Sequence, residues 1–207
     1  WDKWWRRGGW RQAMPPNSPQ HLIWEDAVNV LPRAPDAIFA LVRDPAGRLQ
    51  SEYNWQRSYR RGTLLGRLLA RLPFSLWLRV VLHMAKQNPY TLDNHVRLQS
   101  DFVPYGAQVF RLEDGLAPVL DWLKRAAGDP ADVDVPHAIA SKAARAPMSA
   151  RDRARIMAAF HADYLRFGYP LCAHISPCQE ALRDGPFDWV LKVCARGFVW
   201  LDRRGKV

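Results

Sequence analysis

The pattern of apolar and polar positions first becomes informative at a corner near residue 43. An apolar run over residues 37–42 ends abruptly at Arg43-Asp44-Pro45, and a segment of helical periodicity follows. This pattern predicts a buried strand, a tight corner and the start of a helix. Asp44 is suited to cap that helix, and Pro45 to occupy its first position, where the missing N–H costs nothing.

The beginning of this predicted helix carries a polar stripe. Asp44, Arg48 and Ser51 are spaced at i, i+4 and i+7 and therefore share one face. Arg43 lies beside them at the end of the strand. A guanidinium, a helix N-terminus and a hydroxyl together suit an anion, so we expect an anion site at this corner. The alternative is a structural turn whose arginine lies in water.

Similar periodicities predict the remaining elements. They indicate short helices over 23–31 and 64–72, an amphipathic helix over 74–87, a strand over 108–115, a helix ending at 128–130, and a long helix from the capping-box sequence Ser149-Ala-Arg-Asp152 to 168–170. This order predicts an α/β fold with a short, mostly parallel sheet and many flanking helices. Ligand is expected at the carboxyl ends of the strands, near Arg43 and Glu113-Asp114.

Composition limits the kinds of protein that fit. The 207 residues suffice for one substantial core, so we expect a single domain over residues 1–207. The net charge of +10 favours an anionic partner: a nucleotide, an acidic glycan, nucleic acid or an acidic membrane surface. No stretch approaches the roughly 20 apolar residues of a transmembrane helix and no signal peptide is recognisable, so a soluble, cytoplasmic protein is expected.

The cysteine pattern argues against both a disulfide framework and a metal centre. Cys172, Cys178 and Cys194 are an odd number crowded near the end of the sequence, so reduced thiols are expected. With His174, two of them could be imagined as metal ligands, but the fourth ligand of a familiar zinc spacing is lacking. The sequence therefore predicts no metal.

The corner at Arg43 resembles the sulfotransferases, in particular the branch that contains bacterial sulfotransferase-family proteins and carbohydrate 2-O-sulfotransferases. In that branch an Arg-Asp-Pro ends a strand and a Ser follows eight residues after the Arg, as Arg43 and Ser51 do here. The resemblance implies that Arg43 and Ser51 hold the 3′-phosphate of 3′-phosphoadenosine 5′-phosphosulfate (PAPS), with Arg48 nearby.

A second point of resemblance is His21. In the family a histidine acts as general base and precedes the Arg-Asp-Pro by 21 residues, the interval that Leu22 to Val42 provide here. An attacking hydroxyl or amine must lose a proton near neutral pH, and imidazole is suited to accept it. The resemblance implies that His21 is the catalytic base. A structural histidine is the alternative.

Further residues of the expected site come from two segments that resemble family loops. Residues 88–102 are similar to the segment around the acceptor, which implies that His95, Arg97 and Gln99 contact the acceptor or nucleotide. A polar loop over the core is an equal alternative for this segment. Residues 135–142 are similar to a loop that closes over the nucleotide, which makes Ser141 and Lys142 candidate nucleotide-binding residues.

One family element is not recognisable. The Gly-rich loop that cradles the 5′-phosphosulfate has no counterpart, Arg6-Arg-Gly-Gly9 being the nearest string. The resemblance covers about residues 18–170 and leaves 171–207 as an unassigned extension. It implies a sheet related to the P-loop nucleotide-binding folds that lacks its first strand, in either a truncated enzyme or a related protein with another role.

These observations give one leading expectation and two alternatives. The leading one is a PAPS-dependent sulfotransferase that acts on a hydroxyl or amine, carbohydrates included, with PAPS as the donor and no metal or redox cofactor. The first alternative is a non-catalytic basic module that binds nucleic acid or an anionic polymer. A nucleotide kinase relative is the second, and the absent phosphate loop and magnesium carboxylate argue against it.

Overall fold

A computed structural model describes residues 17–59, 64–127 and 146–171 of the chain. These residues form a mixed α/β structure with seven α-helices and a two-stranded parallel sheet, which confirms the expected class. The helices are α1 (Trp24–Ala27), α2 (Pro45–Tyr59), α3 (Leu64–Leu69), α4 (Phe74–Gln87), α5 (Ala117–Ala127), α6 (Ala150–Ala159) and α7 (His161–Phe167), and the strands are β1 (Phe39–Val42) and β2 (Gln108–Arg111). Short 3₁₀ turns cover Pro19–His21, Thr91–Asn94, Gln99–Asp101 and Leu112–Asp114.

The parallel pairing brings the ends of the two strands to one edge. Phe39 is in register with Gln108 and Val42 with Arg111. The 3₁₀ turn that follows β2 carries Glu113, whose Oε1 accepts a 2.9 Å hydrogen bond from the backbone amide of Asp44. Arg43 and Glu113-Asp114 therefore emerge, as expected, at the carboxyl ends of the two strands.

The expectation that β1 is a buried strand is wrong. Val42 is 2% exposed, but Phe39 and Leu41 are about 40% exposed. In the described residues each strand has a single hydrogen-bonded neighbour. Trp122 of α5 covers part of the sheet, with its ring 5.4 Å from that of Phe39.

The core is centred on α4, as the apolar stripe predicts. The residues expected to face inwards, Phe74, Trp77, Val80, Val81 and Met84, are all buried. Leu49 and Tyr53 of α2 and Ile156 of α6 join the same cluster, so α2 and α6 pack against α4. α2 begins at the corner after β1, and its first turns border the candidate site.

Both capping predictions are confirmed. The amide of Gly47 donates to Asp44 Oδ2 at 2.9 Å, and α2 begins at Pro45. Ser149 and Asp152 form a reciprocal capping box at the start of α6. Such caps form because the first amides of a helix have no partner within the helix.

Several element boundaries differ from the sequence prediction. The helix expected over 23–31 ends as a regular element at Ala27 and continues as hydrogen-bonded turns to Leu31. The expected long last helix is divided at Phe160, whose φ of −113° and ψ of 25° leave the helical region. The strand expected over 108–115 ends at Arg111. No described helix is both long and apolar enough to cross a bilayer.

A buried carboxylate joins α7 to the end of β1. Asp163, which is completely buried, accepts hydrogen bonds from the amides of Gln99 and Ser100 at 2.8 and 2.9 Å. The side chain of Gln99 in turn bonds both backbone groups of Arg43, through Oε1 at 2.9 Å and Nε2 at 2.8 Å. The position of Arg43 therefore depends on α7 through Gln99.

We expect Asp163→Asn to lower the free energy of unfolding by about 1–3 kcal/mol, because the new amide group would face a buried N–H. Urea unfolding would measure this change. Asp121→Asn, at an exposed position on α5, is the matched control and should change stability by less than about 0.5 kcal/mol. Equal effects of the two substitutions would contradict the role of Asp163.

Candidate active site

A cleft of about 420 Å³ opens at the end of β1, beside the first turns of α2. The residues that line it are His21, Arg43, Arg48, Ser51, Glu52, Trp55, Asn94, His95 and Phe102. Five of these, His21, Arg43, Arg48, Ser51 and His95, are site residues that the sequence singled out. The fold thus gathers into one cleft residues that are up to 74 positions apart in the chain.

Arg43 forms the anion-binding side of the cleft. Its backbone is fixed by Gln99, and its side chain lies against Gly47, where a Cβ atom would be only 3.3 Å from Arg43 Nε. No hydrogen bond or ion pair joins the guanidinium to another residue in the described ranges. The guanidinium is therefore available to an anion, and Ser51 lines the same cleft.

Arg48 is a second cation in this wall, and its hydrogen bonding is incomplete. Its Nη2 donates to the backbone carbonyl of Arg97, but its Nε is buried without a partner. Burial lowers the pKa of Arg48, an effect that the nearby carboxylates of Asp163 and Glu52 oppose. Arginine still keeps its charge at neutral pH. A buried donor without a partner among the described residues is costly.

His21 is held in one orientation by Asp93. Its Nδ1 lies 2.9 Å from Asp93 Oδ2 and 2.8 Å from Ser18 Oγ. An ionised carboxylate only accepts hydrogen bonds, so Nδ1 carries the proton in the neutral ring and Nε2 keeps its lone pair. Asn17 and Asn94 both donate to the backbone carbonyl of His21, at 2.6 and 2.9 Å, and fix the loop.

Asp93 is set up to remain ionised. Burial by itself would raise its pKa, but hydrogen bonds from the hydroxyl and amide of Ser18 and from His21 outweigh it and lower the pKa below the ordinary value. The amide of Ser18 donates to Oδ1 and its hydroxyl to Oδ2, both at 2.6 Å. An ionised partner of this kind orients an imidazole and stabilises its protonated form.

A second histidine–carboxylate pair stands beside the first. His95 Nδ1 lies 2.7 Å from Glu52 Oε2. The rings of His95 and His21 meet edge to face with centroids 4.4 Å apart. Glu52 is fixed by Gln56, whose Nε2 donates to it at 2.6 Å and whose Oε1 accepts from Trp77 Nε1. A buried hydrogen-bonded chain therefore runs from the core to His95.

Arg97 and Gln99, the other predicted site residues within the described ranges, are not in the lining of this cleft. Arg97 pairs with Asp101 at 2.7 Å. Gln99 is buried, and its amide is engaged by the backbone of Arg43, so it acts as a positioning residue. Ser141 and Lys142 lie outside the described residues, as do the three cysteines.

Sequence reasoning missed the two carboxylates, Asp93 and Glu52. Asp93 sits in a turn whose residues Leu92, Asp93 and Asn94 have φ values of 53°, 60° and 67°. Left-handed residues other than glycine cost of the order of 1–3 kcal/mol each and cluster at functional sites. No periodicity signals such a turn, although Asp93 lies two positions before a predicted site histidine. His21, Asp93 and His95 also bring three potential metal-ligand atoms within 4.8 Å of one another.

Comparison of the chain with protein-family models, with curated proteins and with solved structures finds no match in any of the three. The functional assignment therefore depends on the chemistry of the cleft. An oriented imidazole with a free Nε2 can accept a proton, and the two neighbouring guanidinium groups can hold an anionic substrate.

The depressed pKa of Asp93 predicts a pH dependence of stability. A carboxyl with a lower pKa in the folded state contributes stability that is fully present above its unfolded pKa of about 3.9 and is lost as the pH falls through its folded pKa. We therefore expect the free energy of unfolding to fall less between about pH 5 and pH 3 in Asp93→Asn than in the unsubstituted chain.

Denaturant unfolding at several pH values would measure this difference. Asp36→Asn is the control, because Asp36 is largely exposed and pairs only with exposed Arg33. It should leave the pH dependence nearly unchanged, since exposed ion pairs contribute little. The interpretation of Asp93 fails if its variant and the control keep the same acid dependence.

Proposed function

We propose that the chain is a sulfotransferase that moves a sulfuryl group from PAPS to a hydroxyl or amine of an acceptor. The observation that carries this proposal is the meeting of His21, oriented by Asp93, with Arg43, Arg48 and Ser51 in one cleft. The parallel strand pair with its cleft at the carboxyl edge is consistent with a relation to P-loop nucleotide-binding folds.

The anion-binding wall of the cleft has the chemistry that a 3′-phosphate requires. Arg43 presents a guanidinium with no partner among the described residues, and a guanidinium matches phosphate oxygens in a two-pronged geometry. Ser51 adds a hydroxyl donor, and Arg48 adds a second positive charge. The charge of +10 for the chain would also favour the approach of a polyanionic nucleotide.

His21 supplies the base for transfer. As the acceptor oxygen or nitrogen attacks sulfur, its proton passes to His21 Nε2, and the bond between sulfur and the bridging phosphate oxygen breaks. The products are the sulfated acceptor and 3′-phosphoadenosine 5′-phosphate. Asp93 holds Nδ1–H and stabilises the imidazolium that forms. His95 lines the cleft next to His21, which makes it a candidate contact to the acceptor.

The nucleotide part of the proposal predicts saturable binding of 3′-phosphoadenosine 5′-phosphate. Arg43→Ala should weaken it by about tenfold or more, because a charge-assisted hydrogen-bonded pair is lost. Titration calorimetry would measure both affinities. Arg151→Ala, at an exposed position on α6, is the control and should bind like the parent. Adenosine 5′-phosphate should bind less tightly because it lacks the 3′-phosphate.

Two results would contradict this part. One is no binding by a chain that is folded by circular dichroism. The other is binding of single-stranded nucleic acid that falls steeply with salt and is unchanged by Arg43→Ala, which would support a basic binding module instead.

The catalytic part predicts that His21→Ala keeps nucleotide affinity but loses transfer. With PAPS and a panel of hydroxyl and amino-sugar acceptors, the rate should fall about 100- to 10,000-fold, the usual contribution of a general base. Release of 3′-phosphoadenosine 5′-phosphate would be the readout. His161→Ala, which removes an exposed histidine on α7, should transfer at the parent rate. A His21→Ala variant with the parent rate would exclude His21 as the base.

A further inference from the structure

We infer that His21, Asp93 and His95 form a binding site for a divalent transition-metal ion, with zinc as the ion that fits best. Each residue offers one ligand atom, and these atoms lie within 4.8 Å of one another. Two imidazoles and one carboxylate are a donor set that zinc accepts, and a fourth position would be left open to water or a ligand.

The contact between His21 and Asp93 is already close to ligand spacing. Their Nδ1 and Oδ2 atoms are 2.9 Å apart. Zinc bonds to nitrogen and oxygen are near 2.0–2.1 Å, so ligand atoms around a tetrahedral ion lie roughly 3.4 Å apart. A metal ion can therefore take the place of the proton that these two atoms share. His21 then ligates as the other neutral tautomer, with its ring proton on Nε2, because a metal-ligating imidazole is neutral.

His95 is held as metal-ligating histidines usually are. Its Nδ1 is bonded to Glu52 at 2.7 Å, which leaves Nε2 as its ligand atom. A carboxylate on the far nitrogen fixes the ring and makes the ligating nitrogen more basic. Glu52 is itself held by Gln56, which accepts from buried Trp77, so the support of His95 reaches the core.

Asp93 provides the charge that offsets the cation. Its backbone is fixed in the left-handed turn over residues 92–94, and Ser18 binds both of its oxygens. The site is also accessible, since the side chains of His21, Asp93 and His95 are 28%, 21% and 19% exposed. Arg43 and Arg48 line the same cleft and oppose a dication, so we expect weaker binding than at a closed site with four protein ligands.

Metal binding would compete with proton transfer. With a metal ion on Nδ1, the proton of the neutral His21 ring lies on Nε2, so Nε2 no longer has the lone pair that accepts a proton. Zinc should therefore inhibit any reaction that needs His21 as base. This consequence depends on the proposed function, whereas metal binding does not, and binding has its own readout.

Cobalt(II) titration tests the site directly, because tetrahedral cobalt with nitrogen and oxygen ligands absorbs visible light. The chain would first be alkylated at its cysteines so that thiolates do not bind the ion. We expect saturation near one equivalent of cobalt and loss of the absorption when zinc is added. His95→Ala should weaken binding by tenfold or more, and Glu52→Gln by about 10–100-fold, the usual effect of removing the partner of a ligating histidine.

His161→Ala is the matched control, since it removes an exposed histidine outside the cleft and should leave the affinity unchanged. In the parent chain, zinc should also shift the ring NMR signals of two histidines only, assigned by their loss in His21→Ala and His95→Ala. The NMR measurement shows binding in the parent chain itself, so binding can be detected even if a variant fails to fold. The inference is overturned if the folded, alkylated parent binds neither ion saturably, or if His161→Ala weakens binding as much as His95→Ala.

Discussion

The two hydrogen bonds between the Gln99 side chain and the backbone of Arg43 are the contact on which the cleft depends. Arg43 follows β1, precedes the cap of α2 and lines the cleft, so a displacement of its backbone would move all three. The contact is partly buried, and Asp163 fixes the same turn by accepting from the amides of Gln99 and Ser100. Buried polar groups are costly unless they are paired, and here each of the groups involved has its partner. α7 contributes no residue to the cleft lining, yet it determines the position of Arg43 through Gln99. The stability of the fold and the geometry of the cleft are therefore linked at this contact.

The cleft brings arginine side chains close to histidine–carboxylate pairs. Arg43 and Arg48 line it together with two histidines, each with a carboxylate on its Nδ1. Cations suit a phosphate, and an imidazole with an oriented ring suits a proton or a metal ion. His21 serves both proposals through different nitrogens: Nε2 accepts the proton in the proposed transfer reaction, and Nδ1 binds the ion in the proposed metal site. The two uses exclude each other, so a metal ion bound at His21 would inhibit the proposed transfer reaction.

The elements around the cleft show which features follow from local sequence. The cap by Asp44, the start of α2 at Pro45 and the capping box at Ser149 depend on residues within three or four positions of one another, and all were predictable. The core face of α4 was predictable for a similar reason, because a stripe of apolar residues at helical spacing usually forms the buried face of a helix. The break at Phe160 and the exposure of Phe39 and Leu41 were not predictable, because each depends on what packs against the segment and not on the segment's own sequence.

The sequence by itself determined the type of each side chain in the cleft, the corner at Arg43 and the positions of the two histidines along the chain. Only the tertiary structure decided that His21 and His95, 74 positions apart, lie with ring centroids 4.4 Å from each other. It also decided that Asp93 and Glu52 are their partners, while Gln99 supports the site from behind. The physical reason is that caps and amphipathic stripes are satisfied within a few residues, whereas a histidine–carboxylate pair forms between segments that meet only when the core has packed.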